Sequence, residues 1–244
     1  MKRWYYIVIF VVMILVGGYL AVVMVHYFQD RNQSVCETFN VEIDDFNEVQ
    51  FVCSQELLNL VKAADLNPIG KRFTEIDLDA VEHVVAKHPM VHDAVCYRTM
   101  QGGICVHVSQ RRPLFRVMTT TENYYVDKSR EPFPTSIQST VYVPVVSGAV
   151  TRNWVCDTLF DLVQYLHNDR FWCNQIEQID VATDRSITLV PRVGSQLILL
   201  GKLNGYESKL RKLYTFYRKA MPHIGWNRYS AIDLRYKDQV ICSQ

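Results

Sequence analysis

The feature that most constrains this chain is an uncharged apolar run, residues 4–25, directly after Lys2 and Arg3. As a helix this run would be roughly 33 Å long, which matches the hydrocarbon core of a bilayer. A secretory signal has a shorter apolar stretch, about 7–15 residues, that ends in small residues at a cleavage site. Here the apolar character continues to Phe28. The run therefore predicts a single transmembrane helix over residues 4–28.

The charges that flank this run predict its orientation. Basic residues beside a membrane span stay on the cytoplasmic side, and Lys2 and Arg3 precede the run. We therefore expect residues 1–3 to form a cytoplasmic end. The chain after Asp30 should lie outside the cytoplasm.

The overall charge argues against one class of partner. The chain has 26 Lys plus Arg against 25 Asp plus Glu, and it has no basic tail. Nucleic-acid binding needs a concentrated positive surface. We therefore expect no nucleic-acid partner, and membrane contact only through the anchor.

The cysteines leave two readings open. Seven cysteines are scattered along the chain, and no CxxC pair occurs among them. Buried free thiols, which pack as small hydrophobes, are one interpretation. A disulfide is the other, because an extracytoplasmic location permits one, and Cys36–Cys53 is the pair we consider.

Residues 29–112 predict a short polar tether and a small α+β domain. The pattern reads strand, helix, helix, strand, strand: a strand at 41–43, a helix opening with Ser54 as cap, a helix capped by Asp77, and strands at 91–97 and 104–108. Gly102 and Gly103 predict the hairpin turn between the last two strands. Such short helices must cover one face of a small sheet to bury their apolar stripes.

Residues 113–244 predict a β-rich domain with two helices. The predicted strands are 114–118, 124–126, 141–146, 178–181, 187–190, 197–200, 231–236 and 239–242, and the helices are about 157–168 and 206–220. Arg111 and Arg112 stand at the junction. We interpret them as a solvated hinge, with pairing to acidic residues as the alternative.

The chain has no motif of catalysis. It lacks a nucleophile elbow, an HExxH sequence, a phosphate-binding loop and a dinucleotide-binding glycine pattern. His83, His88 and His92 cluster in sequence, but the first two are five residues apart and do not form an i, i+4 ligand pair. We therefore predict no catalytic residue, no cofactor and no metal site, and a protein that is not an enzyme.

Five strings of sequence resemble those of one bacterial family, and they occur in the family's order. They are residues 89–95 (PMVHDAV), 104–113 (ICVHVSQRRP), 125–127 with 133–136 (YVD and FPTS), 143–148 (VPVVSG) and 232–236 (IDLRY). With the preceding apolar run, this arrangement resembles the cell-division proteins FtsQ and DivIB. The first extracytoplasmic domain looks like a POTRA domain. Arg130 departs from the family pattern, which usually has Gly there, so this turn should differ or carry strain.

The resemblance implies a function. FtsQ and DivIB proteins are scaffolds that hold FtsB/DivIC-like and FtsL-like coiled-coil partners and help to control septal peptidoglycan synthesis. It implies a single-pass protein of the inner (cytoplasmic) membrane at the division septum, with its bulk in the periplasm.

The predicted partner-binding site is the last strand pair, because an unpaired edge strand is a template for a partner strand. By resemblance the contact residues are Arg235, Tyr236, Lys237, Gln239, Val240 and Ile241, with Arg235 and Lys237 as salt-bridge donors. The alternative is that Tyr236 and Val240 only fill the core and that Lys237 lies in a solvated turn.

Two other functions remain as alternatives. A membrane-anchored POTRA subunit of a transport or envelope-assembly complex would be supported by tandem POTRA units or a following membrane barrel. A membrane-tethered hydrolase or sensor acting on the cell wall would need a pocket with converging polar groups. The sequence predicts neither feature.

Overall fold

The computed structural model describes residues 2–33, 35–44, 50–136 and 139–244. The chain divides into two compact units. Residues 52–110 belong to the first unit together with the preceding chain up to residue 46, and residues 111–244 belong to the second together with residues 47–51.

The first helix, α1, is Lys2–Gln33 and contains the apolar run. Within the described part of the chain, no helix combines the length and the apolar character that crossing a membrane requires.

The first unit has the predicted element order. Its elements are β1 (Phe39–Ile43), α2 (Ser54–Ala63), α3 (Leu78–Ala86), β2 (Val91–Arg98) and β3 (Ile104–Gln110). The sheet order is β1-β3-β2, with β3 parallel to β1 and antiparallel to β2. The turn at Gly102 and Gly103 is confirmed, since the Thr99 N–H donates to the Gly103 carbonyl at 2.8 Å.

The two helices of this unit start differently. Asp77 caps α3 as predicted, because its carboxylate accepts from the Ala80 N–H at 2.9 Å. The prediction that Ser54 caps α2 is wrong: Ser54 is the first helical residue, and the cap position is Cys53, which makes no side-chain capping bond. Both helices bury their apolar stripes, with Leu57, Val61, Val81 and Val85 almost inaccessible to solvent.

The second unit is a long mixed sheet with helices between its strands. Its elements are β4 (Pro113–Met118), β5 (Asn123–Asp127), β6 (Pro132–Pro134), β7 (Val145–Gly148), α4 (Arg152–Trp154), a π-helical turn (Val155–Leu159), α5 (Phe160–Asn168), α6 (Arg170–Gln175), β8 (Ile176–Val181), β9 (Ile187–Pro191), β10 (Leu197–Gly201), α7 (Tyr206–Lys219), α8 (Met221–Ile224), β11 (Ala231–Asp233) and β12 (Ile241–Ser243). The nine strands have the order β12-β11-β10-β9-β8-β7-β4-β5-β6.

Helices join two of the three parallel neighbour pairs in this sheet, because parallel strands need a crossover, while β4 and β7 are joined through β5 and β6. Helices α4 to α6 lie between β7 and β8, and α7 and α8 lie between β10 and β11. The two groups contact each other: the ring centroids of Tyr165 and Tyr206 are 5.6 Å apart, and those of Phe171 and Tyr214 are 5.0 Å apart. One helical layer therefore covers one face of the sheet and closes the main core.

Some predicted boundaries are wrong. The helix predicted at 157–168 already begins at Arg152 and passes through the π-helical turn, and α6 and β6 were not predicted. The strand predicted at 141–146 lies at Val145–Gly148. Strands predicted at 231–236 and 239–242 are the shorter β11 and β12.

Two residues near the start of the second unit have a structural role there. Phe51 is buried, with its ring centroid 5.6 Å from that of Tyr125 and 6.1 Å from that of Phe133. Arg111 donates from Nη1 to Oδ2 of the buried Asp127 at 2.7 Å. The solvated-hinge interpretation is therefore wrong for Arg111, which follows the alternative of acidic pairing.

Candidate partner-binding edge

The candidate site is the end of the nine-stranded sheet where β12 lies. β12 pairs antiparallel with β11, with Ile241 opposite Asp233 and Cys242 opposite Ile232. β12 stands last in the strand order of the described residues, with a strand on one side only. The Ser230 N–H also donates to the Ser243 carbonyl at 2.9 Å, so the strand is attached at its far end.

Asp233 ends β11 and turns the chain. Its Oδ1 accepts from the Arg235 N–H at 2.9 Å, an Asx-type bond that takes the main chain out of the sheet. The Arg235 guanidinium forms a second contact with the same carboxylate, from Nε to Oδ1 at 3.0 Å and from Nη2 to Oδ2 at 2.6 Å. These hydrogen bonds lower the pKa of Asp233 and raise the pKa of Arg235. Arg235 is therefore already paired within the chain.

A lysine from α7 holds the turn between β11 and β12. Lys212 donates from Nζ to the Tyr236 carbonyl at 2.7 Å and is 3.4 Å from the Gln239 carbonyl. One helical turn earlier, Lys209 donates to the Leu200 and Lys202 carbonyls at 3.1 and 2.8 Å. The pKa of Lys209 is lowered, mainly by the burial of its ammonium group and to a smaller extent by repulsion from Lys212. The two lysines thus bind main-chain carbonyls at this end of the sheet.

The turn presents its largest side chain to solvent. Tyr236 is 51 % exposed, and Ile241 on β12 is 42 % exposed. Val240 is half-buried and packs against the main core. The core-filling alternative is therefore wrong for Tyr236 and correct for Val240. Lys237 is exposed, as is Asp238, whose φ of 59° lies in the left-handed region.

The structure places the six predicted contact residues on one turn and the start of one strand. Arg235, Tyr236, Lys237, Gln239 and Val240 belong to the connection between β11 and β12, and only Ile241 is on the edge strand. Sequence reasoning missed Lys212. A basic residue on a helix carries no local signal that it will bind carbonyls 24 and 27 residues away.

A polar cleft lies beside this edge. Its volume is about 270 Å³, and its charged lining residues are Asp184, Lys202, Lys209 and Arg235. Lys202 is 3.2 Å from Oδ2 of Asp184, while Lys209 and Arg235 have the partners given above. These charges are thus engaged within the protein.

The histidines considered for a metal site have other neighbours. His88 has Nε2 at 3.4 Å from Oε1 of Glu56, and its Nδ1 is 3.3 Å from the Met90 nitrogen. Within the described ranges, no group of three or more His, Cys, Asp or Glu side chains stands close enough to hold a metal ion.

Comparison with known families separates the same two parts of the chain. Residues 34–109 match the POTRA-like domain, and residues 112–243 match the FtsQ/DivIB C-terminal related domain. No match is found among curated proteins. POTRA units occur in more than one kind of envelope protein, so the second match decides the family, and it covers just over half of the chain. The chain belongs to the FtsQ/DivIB family of cell-division proteins, which are non-enzymatic scaffolds.

Proposed function

We propose that the chain is a divisome scaffold whose β12 edge binds an extended segment of FtsB/DivIC-like and FtsL-like coiled-coil proteins. Through this binding it would help to control septal peptidoglycan synthesis. The observation that carries the proposal is the position of β12 at the end of a nine-stranded sheet, beside a turn that exposes Tyr236. Main-chain pairing along such an edge gives affinity, and the side chains that flank it give specificity.

The contact residues fall into three groups in this proposal. Tyr236 and Ile241 supply apolar area to the partner, because both are exposed beside the strand edge. Lys237 and Gln239 are exposed polar groups at the rim. Arg235 and Val240 support the site from within, since Arg235 is paired with Asp233 and Val240 packs on the core.

The proposal includes the single-pass anchor predicted from residues 4–28, with residues 1–3 in the cytoplasm and the two units in the periplasm at the septum. Its support is the uncharged sequence of residues 4–25 and the exposure of every side chain from 10 to 25. Apolar area of this size needs cover, and lipid provides it. Adding a reporter after residue 244 and testing its access to a membrane-impermeant reagent in cells measures this topology.

Calorimetric titration tests the binding edge. The full chain in phosphatidylcholine nanodiscs is titrated with the extracytoplasmic segments of the organism's FtsB/DivIC-like and FtsL-like proteins, alone and premixed. We expect saturable binding that Ile241→Lys abolishes and Tyr236→Ala weakens about tenfold, as loss of a buried aromatic anchor does. Met118→Lys is the matched control, because Met118 is an apolar residue of similar exposure on β4, distant in the strand order.

Two results would count against the proposed edge. Equal loss of binding in Ile241→Lys and Met118→Lys would mean that the charge acts without reference to position. The absence of binding to either segment, with circular dichroism of the unmodified chain intact, would leave only the family and its fold.

A further inference from the structure

The sheet of the first unit has an outer face that the proposed function does not use. Side chains alternate between the faces of a sheet, and the register places nine of them away from α2 and α3. In rows across the sheet they are Tyr97, Cys105 and Asn40, then Val95, His107 and Glu42, then Asp93, Ser109 and Asp44. The inner face, in contrast, is largely apolar and buried under the helices.

Two of the nine side chains form an exposed apolar pair on β2. Val95 is 48 % exposed and Tyr97 is 42 % exposed. They stand two residues apart on one strand face, a separation of about 7 Å. Tyr97 stands opposite the buried Cys105 on β3, and interaction with this thiol raises the pKa of Tyr97. An exposed apolar pair on an ordered strand is typical of an interaction surface.

The Asp, Glu, Lys and Arg side chains on this face are all acidic, and the face also has one histidine. Glu42, Asp44 and Asp93 are exposed carboxylates, and none of the nine positions is Lys or Arg. His107 has Nε2 at 2.8 Å from Oδ1 of Asp44. The wider segment 35–110 has twelve Asp or Glu against five Lys or Arg, a net charge of −7 in a chain of net charge +1.

We propose that this outer face binds an amphipathic helix of another protein that carries an apolar stripe with Lys or Arg along one flank. The dimensions of this face agree with those of an α-helix. Three strands about 4.8 Å apart form a face roughly as wide as a helix of about 10–12 Å diameter. Helix residues i and i+4 are about 6 Å apart along the axis, close to the spacing of Val95 and Tyr97. The basic flank then lies over Glu42 and Asp44 on β1.

This outer face and the β12 edge belong to different units of the chain, and the segments that contain them carry opposite net charge. The segment 202–244, which contains the proposed edge, has nine Lys or Arg against three Asp or Glu, a net charge of +6. A partner attracted to the outer face of the first unit is therefore of opposite charge to one attracted to the β12 edge. The outer face adds a second and chemically distinct partner to the scaffold.

A synthetic helix tests the proposal. The probe is a fluorescein-labelled, alanine-based peptide of about 14 residues, with Leu at every fourth position and Lys directly after each Leu. Its control has Glu in place of Lys. Anisotropy is measured with the full chain in phosphatidylcholine nanodiscs, and empty nanodiscs give the background. We expect saturable binding of the Lys peptide alone, weakening as NaCl rises from about 50 to 300 mM.

Matched variants locate the binding. Glu42→Gln combined with Asp44→Asn should weaken binding about fivefold, as expected for the loss of two exposed ion pairs, and Tyr97→Ala should weaken it about tenfold. The control combines Asp65→Asn with Glu75→Gln, two exposed acidic residues of the loop between α2 and α3, and should leave the affinity unchanged. If Tyr97→Ala unfolds the unit, the comparison of the two acidic double variants still shows whether the peptide binds to the outer face.

Four results would overturn the proposal: no saturable binding, equal binding of the Glu peptide, equal weakening by both acidic pairs, or self-association of the chain in sedimentation velocity that the Glu42 and Asp44 changes abolish. The third would reduce the effect to diffuse charge, and the last would make a second copy the occupant. Binding of FtsB-like segments at β12, measured in the same preparation, keeps this outcome separate from that of the proposed function.

Discussion

Lys212 on α7 donates from Nζ to the main-chain carbonyl of Tyr236 at 2.7 Å. The bond fixes the turn that precedes the edge strand while leaving the Tyr236 side chain half exposed. A loop held in its bound shape loses less conformational entropy when a partner binds. Under the proposed function, Lys212 would therefore preorganise the candidate edge through its bond to the Tyr236 carbonyl.

Lys212→Met should loosen this turn. The substitution keeps the length of the side chain but removes the donor, so the net cost is about 1 kcal/mol of local stability. We expect faster amide hydrogen exchange over residues 236–243, with unchanged exchange in the first unit. Lys212→Arg should restore most of the protection.

Lys219→Met is the control for charge, because Lys219 is an exposed lysine near the end of the same helix. Accelerated exchange over residues 236–243 in both variants would assign the effect to net charge. Unchanged exchange in Lys212→Met would show that the turn keeps its shape without the lysine.

Arg130 offsets strain with contacts. Its φ is 66°, which confirms the strain expected where the family usually has Gly. Its Nη1 donates to the Cys156 and Asp157 carbonyls of the π-helical turn at 3.2 and 3.1 Å, and its Nη2 donates to Oδ1 of Asp161 at 2.7 Å. The guanidinium carbon is also 4.4 Å from the centroid of the Phe160 ring.

Variants at Arg130 should therefore differ in stability in a definite order. Arg130→Ala keeps the backbone strain and loses the contacts, whereas Arg130→Gly loses the contacts but relieves the strain. We expect the alanine variant to be less stable than the glycine variant by about 1 kcal/mol, and both to be less stable than the parent. Tryptophan fluorescence during urea unfolding measures this, because Trp154, Trp172 and Trp226 lie in the second unit. Equal stability of the two variants would contradict the account of strain.

Local signals predicted much of the fold. Asp77 followed by apolar residues at helical spacing predicted α3 and its cap, and the alternation after Gly103 predicted β3. Such signals act within a few residues, so one sequence contains them in full.

The failures have physical causes as well. The strand predicted to continue to Tyr236 ends at Asp233, because the Asp233 side chain captures the Arg235 N–H and competes with the sheet ladder. Lys212 acts on carbonyls that are distant in sequence, and only the packing of α7 brings them together. The sequence thus predicted which segment forms the candidate site, but it did not predict the hydrogen bonds that shape this segment.

The two buried cysteines should behave as protected thiols. The structure holds all seven as free thiols, with Cys36 and Cys105 buried. Burial raises the pKa of Cys36, so its reactive thiolate is scarce at neutral pH. We expect iodoacetamide to modify these two residues slowly in the native chain and rapidly in urea, as followed by peptide mass spectrometry. A Cys36–Cys53 disulfide in a non-reduced peptide map would contradict the structure.

Asp233 should make the stability of the second unit depend on pH. Hydrogen bonds from Arg235 hold the pKa of Asp233 below its ordinary value. The unfolded chain therefore takes up the proton first as the pH falls. The stabilisation is present above the ordinary aspartate pKa of about 3.9 and disappears as the pH drops through the lower folded value.

Asp233→Asn isolates this ion pair, because the amide oxygen can still accept the Arg235 N–H. At pH 7 we expect a loss of about 0.5–1 kcal/mol in the free energy of unfolding, since the Arg235 side chain is largely exposed to solvent. The difference between variant and parent should shrink as the pH falls below about 3.9. Glu177→Gln, at an exposed position of β8, removes the same charge and should change stability little. If the two substitutions gave the same pH profile, overall charge and not the contact between Asp233 and Arg235 would determine the acid stability of this edge.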